Sequence, residues 1–336
     1  MNGPIALTGA TGFVGRRVLA LCAESGVAVR ALARRPADLD AARTRSLEIV
    51  EGDILDDGAL DALAAGAAAI IHCAGAIAAH APDTFASVNV EGTRRLAAAA
   101  RRAGTARFVH VSSLAAREPG LSAYGLSKRL GEREVMDGMA RENWVIVRPP
   151  VVYGPGDRAT LPLIDQFTRQ AAWLPGSRRQ RFSLIYVDDL ARALVALARS
   201  RGPCGTIHEL HDGRADGYSW ENVAAAALAS EGRPRRVHYL PRVVVGAVSH
   251  LAQGWTRATG RRLGTPLSPG KVRELYHRDW VCRNGPLDEE TGWSAKVGLE
   301  EGLALSLDWY RRNGWLPHPS GVTKTPAGTD HGVRPG

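Results

Sequence analysis

The chain has 336 residues, of which 45% are apolar and 23% charged, a composition typical of a globular protein with a substantial core. Its formal net charge is +9, and we expect the basic side chains to be spread over solvated helix faces and around any site for an anionic ligand, not gathered as a nucleic-acid surface. Four well-separated cysteines argue against a disulfide or zinc framework and favour reduced thiols: Cys22, Cys73, Cys204 and Cys282.

A glycine-rich turn follows the first strand. Pro4 to Leu7 reads as a short buried strand, and the segment from Thr8 to Gly15 leads directly into a helical pattern. Such a turn brings backbone N–H groups and the positive end of a helix close to a pyrophosphate. In this interpretation Gly9 permits the tight turn, Gly12 leaves room for the phosphates and Gly15 allows close helix–strand packing. The residues predicted to bind a dinucleotide here are Gly9, Thr11, Gly12, Phe13, Val14 and Gly15.

Strand and helix patterns alternate up to residue 150, which predicts an α/β fold with a Rossmann-type, doubly wound parallel sheet. The expected strands end near Ala33, Glu51, Cys73, Ser112 and Arg148, and long helices are expected near 84–102 and 122–141. Within this region the longest run without charged residues, 62–82, is broken by glycines and does not resemble a membrane span. No signal peptide precedes the first strand, so we expect a cytoplasmic protein without a stable membrane anchor.

Beyond residue 150 the pattern is less regular. Helices are predicted near 161–173, 188–200 and 219–231, and strands near 182–187 and 206–210. We expect a smaller, mixed but mainly helical substrate-binding lobe over 151–316, with segments around 182–210 returning to the dinucleotide-binding domain of residues 1–150. Five tryptophans between 255 and 315 are expected to fill the core of this lobe. Residues 317–336 read as a disordered tail.

The end of the second strand bears on the cofactor. It reads Ala33-Arg34-Arg35, without the carboxylate that usually bonds an NAD ribose. A guanidinium at Arg34 would bind a 2′-phosphate, so NADP(H) is favoured and NAD(H) remains an alternative. Asp53 and Ile54 follow the third strand and are candidates for contacting the adenine, although Asp53 would equally serve to cap the following turn.

Tyr124 and Lys128 are spaced i, i+4 on a predicted helix and therefore share one face. A nearby ammonium is expected to lower the pKa of the phenol, so that Tyr124 can exchange a proton while hydride moves to or from a nicotinamide. Ser112 and Ser113 end the fifth strand, at the edge where parallel sheets bind ligands. A hydroxyl there would orient a substrate oxygen.

With these motifs in order, the chain resembles an extended short-chain dehydrogenase/reductase. The resemblance rests on Thr8–Gly15, Gly52-Asp53, Asn89–Thr93, Val111–Ser113, Tyr124–Lys128, Arg148–Pro155 and Tyr186–Ala191. It implies that Tyr124 is the catalytic acid/base, that Lys128 is its partner and a ribose contact, and that Ser113, with Ser112 as the fallback, polarises the substrate oxygen. It also implies that Ala74 and Pro149 lie against the cofactor, and that a homodimer forms through the two long helices.

Two departures from the family pattern bear on the substrate. In nucleotide-sugar members the strand before Tyr-Val-Asp-Asp carries Arg-Asp-Phe-Ile, whose arginine meets the nucleotide phosphates. Here the aligned residues are Phe182–Ile185, and Arg181 is one residue out of register and so faces the other side of the strand. The pattern is nearer to the dihydroflavonol-reductase and 3β-hydroxysteroid-dehydrogenase branch. The loop between Ser113 and Tyr124 is also short. We therefore expect an NAD(P)-dependent oxidoreductase that interconverts a carbonyl and a secondary alcohol on a small or lipophilic substrate. A nucleotide-sugar epimerase or dehydratase, and a non-catalytic NADP(H)-binding scaffold, are the alternatives.

Three other segments have simpler interpretations. His208 and His211 are expected to belong to an ordinary strand end, with no metal site. Asp188-Asp189 is expected to cap helix N–H groups. The apolar run Val243–Val248, with Leu251 and Trp255, is expected to pack against the lobe rather than to touch a membrane or rim a pocket.

Overall fold

A computed structural model describes residues 3–42, 46–78, 83–169, 171–200, 202–231, 236–259, 268–283, 287 and 291–317. The expected tail lies, from residue 318 on, outside the described residues. The strands are β1 (Ile5–Thr8), β2 (Val29–Ala33), β3 (Leu47–Glu51), β4 (Ala69–His72), β5 (Phe108–Val111), β6 (Trp144–Arg148), β7 (Val151–Tyr153), β8 (Ala171–Pro175), β9 (Arg181–Phe182), β10 (Leu184–Tyr186), β11 (Thr206–Glu209), β12 (Arg236–Leu240) and β13 (Asp279–Trp280). The α-helices are α1 (Phe13–Glu24), α2 (Asp57–Ala64), α3 (Gly92–Arg102), α4 (Ala123–Gly138), α5 (Leu161–Gln166), α6 (Val187–Arg199), α7 (Trp220–Glu231), α8 (Arg242–Thr259), α9 (Pro269–Leu275) and α10 (Leu299–Arg312).

Seven strands form one parallel sheet in the order β11-β6-β5-β4-β1-β2-β3. The strand order reverses between β1 and β4, which pair directly with Thr8 opposite His72. In a doubly wound sheet the crevice at the carboxyl ends of two such strands is where ligands bind. The predicted α/β Rossmann fold is therefore confirmed, and the first glycine-rich turn opens into this crevice.

Both faces of the sheet are covered, which explains why its strands are almost continuously apolar. Side chains alternate between the faces: Ile5 and Leu7 pack with α1 and α6, whereas Ala6 packs with α2, α3 and α4. The helices supply leucines and alanines to each layer, among them Leu194 of α6 and Leu96 of α3, both fully buried. These two layers fix the carboxyl ends of the strands against the start of α4.

A third core belongs to the lobe, in which three short parallel strand pairs (β7 with β10, β8 with β12, β9 with β13) meet α5, α7 and α10. Trp280, Trp309 and Trp315 pack against this core, whereas Trp293 joins the core of the main sheet. Trp255 of α8 is 51% exposed. None of the helices in the described part of the chain is both long and apolar enough to cross a bilayer.

The helix predicted near 161–173 is wrong in its second half. Helix α5 ends at Gln166, and residues 171–175 form β8, which pairs with β12. Ala172 and Leu174 are buried while Trp173 between them is exposed, the alternation of a half-buried strand. Pairing with a segment more than 60 residues later thus overrides the local helical pattern.

The expectation that Val243–Val248 packs against the lobe is also wrong for most of its residues. Only Val245 of this valine run is buried, while Val243, Val244 and Val248 point to solvent together with Leu251. A helix of this length can bury one stripe of side chains, and on α8 the packed stripe is held by Val245 and Ser249. The apolar residues outside that stripe form an uncovered face.

The two aspartates after β10 do different things, and neither caps the helix in which it lies. Asp188 forms a bidentate ion pair with Arg17 of α1, at 2.6 and 2.7 Å. The buried Asp189 accepts backbone N–H groups from Lys296 and Val297, both at 2.9 Å. Asp189 therefore fastens the segment before α10 to the main sheet.

We expect Asp189→Asn to lower the free energy of unfolding by about 2–4 kcal/mol, because an amide offers one acceptor where two N–H groups and Arg192 need a carboxylate. Denaturant unfolding of purified protein measures this. Asp188→Asn is the matched control and should lower the free energy of unfolding by no more than about 1 kcal/mol, since the ion pair between Asp188 and Arg17 is partly exposed. Equal losses in the two variants would contradict the anchoring role of Asp189.

Candidate active site

The first turn forms a cradle of bare backbone at the start of α1. Gly9 has a φ of +71°, and a Cβ there would lie 2.6 Å from the nitrogen of Ala74. A Cβ on Gly15 would collide with the carbonyl oxygen of Gly9. Gly12 is the N-cap residue and has no side chain to occupy the first N–H groups of α1. Thr11 and Gly12 are exposed, so the positive end of the helix is open to an anion.

This cradle fits a dinucleotide pyrophosphate. The first turn of α1 carries no acidic side chain, and Arg16 donates to the carbonyl of Thr11 at 2.8 Å on its outer side. Phe13 and Val14 are half-buried at the base of the helix. Added Cβ atoms at Gly9 and Gly15 would meet backbone, so the close turn requires glycine at both positions.

The adenosine end of the crevice holds Arg34 and Asp53. Arg34 is 80% exposed just after β2, and its Nε lies 4.0 Å from the carboxylate of Asp53. Asp53 accepts the N–H of Leu55 at 3.0 Å and so caps the turn before α2. Ile54 is buried and packs against Gly92, because a Cβ added to Gly92 would lie 2.8 Å from Cγ1 of Ile54.

The other end of the crevice lies beside Lys128. Its buried ammonium donates to the carbonyl of Val111 at 2.8 Å, and a Cβ on the exposed Gly75 would lie 3.5 Å from Nζ. Ala74 is half-buried after β4, and Pro149 is buried after β6 with its carbonyl accepting the N–H of Leu114. The two ends of the crevice thus lie on either side of the junction between β1 and β4.

Asn89 is a site residue that sequence reasoning left without a role. It lies in a π-helical segment, Ala86–Glu91, that precedes α3, and it is buried. Its amide accepts the N–H of Ala76 at 2.7 Å, and donates to the carbonyl of Ala76 and to Ser127. The segment after β4 is therefore fixed to α4, one residue from Lys128.

The two serines after β5 point in different directions. Ser112 is buried and donates to Glu132 at 2.6 Å, on the side of the sheet covered by α4. Ser113 is half-buried, its Oγ accepts the N–H of Ala115, and its hydroxyl lies close enough to the phenol of Tyr124 to lower the pKa of that group. Alternation along an extended backbone separates the two side chains, so only Ser113 shares a site with Tyr124.

The pKa of Tyr124 is raised, contrary to the expected lowering. Burial is the main cause, the Ser113 hydroxyl acts in the opposite direction, and the carboxylate of Glu274 raises the pKa further. The ammonium of Lys128, which donates to the carbonyl of Val111, is not among the causes of this shift. The ring of Phe85 lies 6.0 Å from that of Tyr124 and completes its apolar surroundings. The phenol therefore stays protonated at neutral pH.

Burial lowers the pKa of Lys128 from 10.5 to about 8, and the carboxylate of Glu132 opposes this shift. Glu132 lies one turn beyond Lys128 on α4 and is fully buried. It forms a bidentate pair with Arg148 at 2.6 and 2.7 Å and accepts from Ser112 and Arg129. This carboxylate joins α4 to the ends of β5 and β6.

A second carboxylate reaches the site from the lobe. Glu274 of α9 is buried, accepts the hydroxyl of Ser122 and pairs with Lys271 at 2.9 Å. Ser122 is the N-cap of α4 and accepts the N–H of Gly125 at 2.9 Å. Nothing in the local pattern around residue 274 marks it as a site residue, because the contact spans 152 positions.

The described residues contain no group of three or more His, Cys, Asp or Glu arranged to bind a metal. His208 bonds Thr206 within β11, and His211 lies beyond the strand, where it accepts the N–H of Gly213.

Comparison with known proteins identifies the family. The model of the NAD dependent epimerase/dehydratase family matches residues 5–208. A ceramide reductase of Caulobacter vibrioides is 42% identical over 318 residues, covering 94% of this chain and 97% of the relative. A 4-hydroxy-2-methyl-3-oxo-4-farnesyl-3,4-dihydroquinoline-1-oxide ketoreductase of Stigmatella aurantiaca is 28% identical, covering 93% of this chain and 98% of the relative.

A solved structure, MoeE5 in complex with UDP-glucuronic acid and NAD, superposes with a TM-score of 0.70 at 25% identity, covering 93% of this chain and all of that one. A further relative, from Synechocystis and named "Putative dihydroflavonol 4-reductase", is 26% identical and covers 92% of this chain and 95% of the relative, in agreement with the expected branch. The match of the family model across strands, glycine turn and Tyr124–Lys128 helix shows that this chain belongs to the NAD dependent epimerase/dehydratase family, the extended short-chain dehydrogenases/reductases.

Proposed function

We propose that the protein is an NADP(H)-dependent reductase that converts a carbonyl group on a lipophilic substrate to a secondary alcohol. The observation that carries this proposal is that the hydroxyl of Ser113 lies close enough to the phenol of Tyr124 to influence its pKa, at the carboxyl end of the sheet and beside the glycine cradle. Two hydroxyls that converge in this way can hold one carbonyl oxygen. The chemistry supplied by a bound nicotinamide is delivery of a hydride to the carbonyl carbon.

Tyr124 supplies the proton that the reduced oxygen needs. Its raised pKa keeps the phenol protonated, as a general acid must be before it donates. Ser113 donates a hydrogen bond to the same oxygen and orients it toward the phenol. Lys128 holds its positive charge close to Gly75, where it can bind the ribose of the cofactor and favour the phenolate left after proton transfer.

A lipophilic substrate is favoured over a nucleotide sugar. Arg181, the arginine closest to the position used by sugar-nucleotide members, is exposed and donates to the carbonyls of Arg178 and Gln180. Ser183, two residues on, is buried and bonds the N–H of Cys282. The relative that is 42% identical is named a ceramide reductase, so long-chain lipid ketones of the ceramide class are the first substrates to test.

NADP(H) is favoured by the charges at the adenosine end. Arg34 is largely free to turn toward a 2′-phosphate because its contact with Asp53 is long and exposed. No carboxylate ends β2 itself, where one would repel that phosphate.

Replacing Tyr124 with Phe should lower turnover by a factor of about 10² or more while leaving cofactor affinity nearly unchanged, because only the proton donor is lost. The measurement is loss of NADPH absorbance with a panel of long-chain ketones, alongside fluorescence titration of NADPH binding. Tyr239→Phe removes an exposed phenol elsewhere and is the control. Full turnover by Tyr124→Phe would refute the assignment. Release of sugar epimers without net change in NADPH would refute the reductase.

Arg34→Asp should weaken NADPH binding by roughly tenfold or more and leave NADH binding unchanged, since the lost bond is to the 2′-phosphate alone. Titration of the purified protein with NADPH and with NADH gives the ratio of the two dissociation constants. Arg35→Asp is the control, because it makes the same change of charge at the adjacent residue, whose side chain pairs with Asp38. If both nucleotides lose affinity equally, Arg34 does not read the 2′-phosphate.

The ammonium of Lys128 should titrate near pH 8 in the protein without ligand, well below an ordinary lysine. Protein labelled with ¹³C at lysine Cε suits an NMR titration because the chain has only four lysines: Lys128, Lys271, Lys296 and Lys324. Below this pKa the side chain is charged, and above it neutral. Glu132→Gln should shift the titration to lower pH because it removes the carboxylate that favours the ammonium. Titration of all four lysines near pH 10.5 would contradict this.

A further inference from the structure

Helix α8 presents an apolar face that nothing in the described part of the chain covers. Val243, Val248 and Leu251 are 82%, 61% and 74% exposed, and Val244 and Trp255 are about half exposed. Spacings of three, four and seven place Val244, Val248, Leu251 and Trp255 on one stripe. From Val244 to Trp255 the stripe is about 17 Å long. Val245 and Ser249 are buried on another side of α8, and the helix also packs against α9.

The sequence on either side of this helix is strongly basic. Between Gly232 and Arg273 the sequence has nine Lys or Arg residues and no Asp or Glu, a number equal to the formal net charge of +9 for the whole chain. The expectation that basic residues are evenly spread is therefore wrong for this segment. Glu274, the next acidic residue, is buried against Ser122 and pairs with Lys271, so it offsets one of these nine charges.

Basic side chains lie on the side of α8 that faces α9, away from the apolar stripe. Arg242 and His250 of α8 and Arg273 of α9 rim a groove of about 250 Å³ between the two helices. Val243 also lines this groove, whereas Val244, Val248, Leu251 and Trp255 lie on the other side of α8. A helix with an apolar face, basic residues on its other side and no acidic residues has the pattern of a helix that lies in the plane of a membrane interface.

We propose that the apolar face of α8 binds reversibly to the surface of an anionic lipid bilayer. Val244, Val248, Leu251 and Trp255 enter the interface, while the basic side chains of the same segment, Arg242 and Arg273 among them, are attracted by the lipid phosphates. A second copy of this chain fits the face less well, because it would bring an equal density of positive charge against it.

The docking surface lies one helix away from the candidate active site. Arg273 donates to the carbonyl of Leu121 at 2.7 Å, and a Cβ on Gly270 would lie 3.0 Å from that of Ser122, two residues before Tyr124. A lipid substrate would then enter from the bilayer close to the catalytic helix. Entry of a lipid substrate from the bilayer rests on the proposed reductase function, whereas the binding of the helix to lipid does not.

The test is co-sedimentation of the full chain with two vesicle types, phosphatidylcholine alone and phosphatidylcholine with about one-third phosphatidylglycerol. We expect binding to the anionic vesicles only, weakened by salt. The double variant Val248→Ser/Leu251→Ser should reduce it roughly tenfold, and Arg242→Glu should reduce it too. Matched controls at exposed positions elsewhere, Leu305→Ser and Arg101→Glu, should bind as the unaltered chain does.

Circular dichroism melting shows that each variant is folded before it is tested. Absence of binding to anionic vesicles at low salt, equal binding to both vesicle types, or equal loss in the control variants would each overturn the proposal. The proposal would also be overturned if light scattering showed that the unaltered chain is a dimer and the double variant a monomer, while the unaltered chain bound no vesicles. Because no substrate or cofactor is present, the result is independent of reductase activity, and failure of either proposal leaves the other standing.

Discussion

The geometry of the candidate site depends on a buried carboxylate. Glu132 is fully enclosed, and a charge in such a place is tolerated only when it is paired and hydrogen-bonded. Its partners come from three elements: Ser112 after β5, Arg148 at the end of β6, and Arg129 on its own helix. Since these contacts need α4 in one position over the sheet, they also set where Tyr124 and Lys128 meet the crevice. Close packing reinforces this, because a Cβ on Gly131 would lie 2.5 Å from the carbonyl of Asn89.

The chain of charges continues from Glu132 into the lobe. Arg148 lies 4.0 Å from Glu209 of β11, which pairs with Arg117 and accepts the N–H of Arg283. Arg117 donates to the carbonyls of Asp279 and Val281 in the lobe. Together with the contact between Glu274 and Ser122, this network connects the segment around α9 and β13 to the catalytic helix from two sides. The lobe and the sheet therefore meet through specific polar contacts at the site itself.

The sequence was most informative where the determinants are local. The glycine turn, the parallel strands and the shared face of Tyr124 and Lys128 follow from spacings of a few residues, and the family resemblance was correct as well. The orientation of Ser112 and Ser113 needed the position of Glu132, which is 20 residues away. The raised pKa of Tyr124 depends on burial and on Glu274, neither of which a four-residue spacing reveals. The strand at 171–175 and the anchoring role of Asp189 likewise depend on partners far along the chain.

The π-helical segment Ala86–Glu91 has a consequence for the evolution and engineering of this protein. A π turn holds one residue more than an α turn of equal length, and Asn89 uses that widened turn to reach Ala76 and Ser127. Deleting a single residue here would let the helix wind regularly but rotate everything before the deletion by about 100° relative to α3. Asn89 would then leave its partners. Alignments and designed loop exchanges should therefore treat the length of this segment as invariant, even where its side chains are free to change.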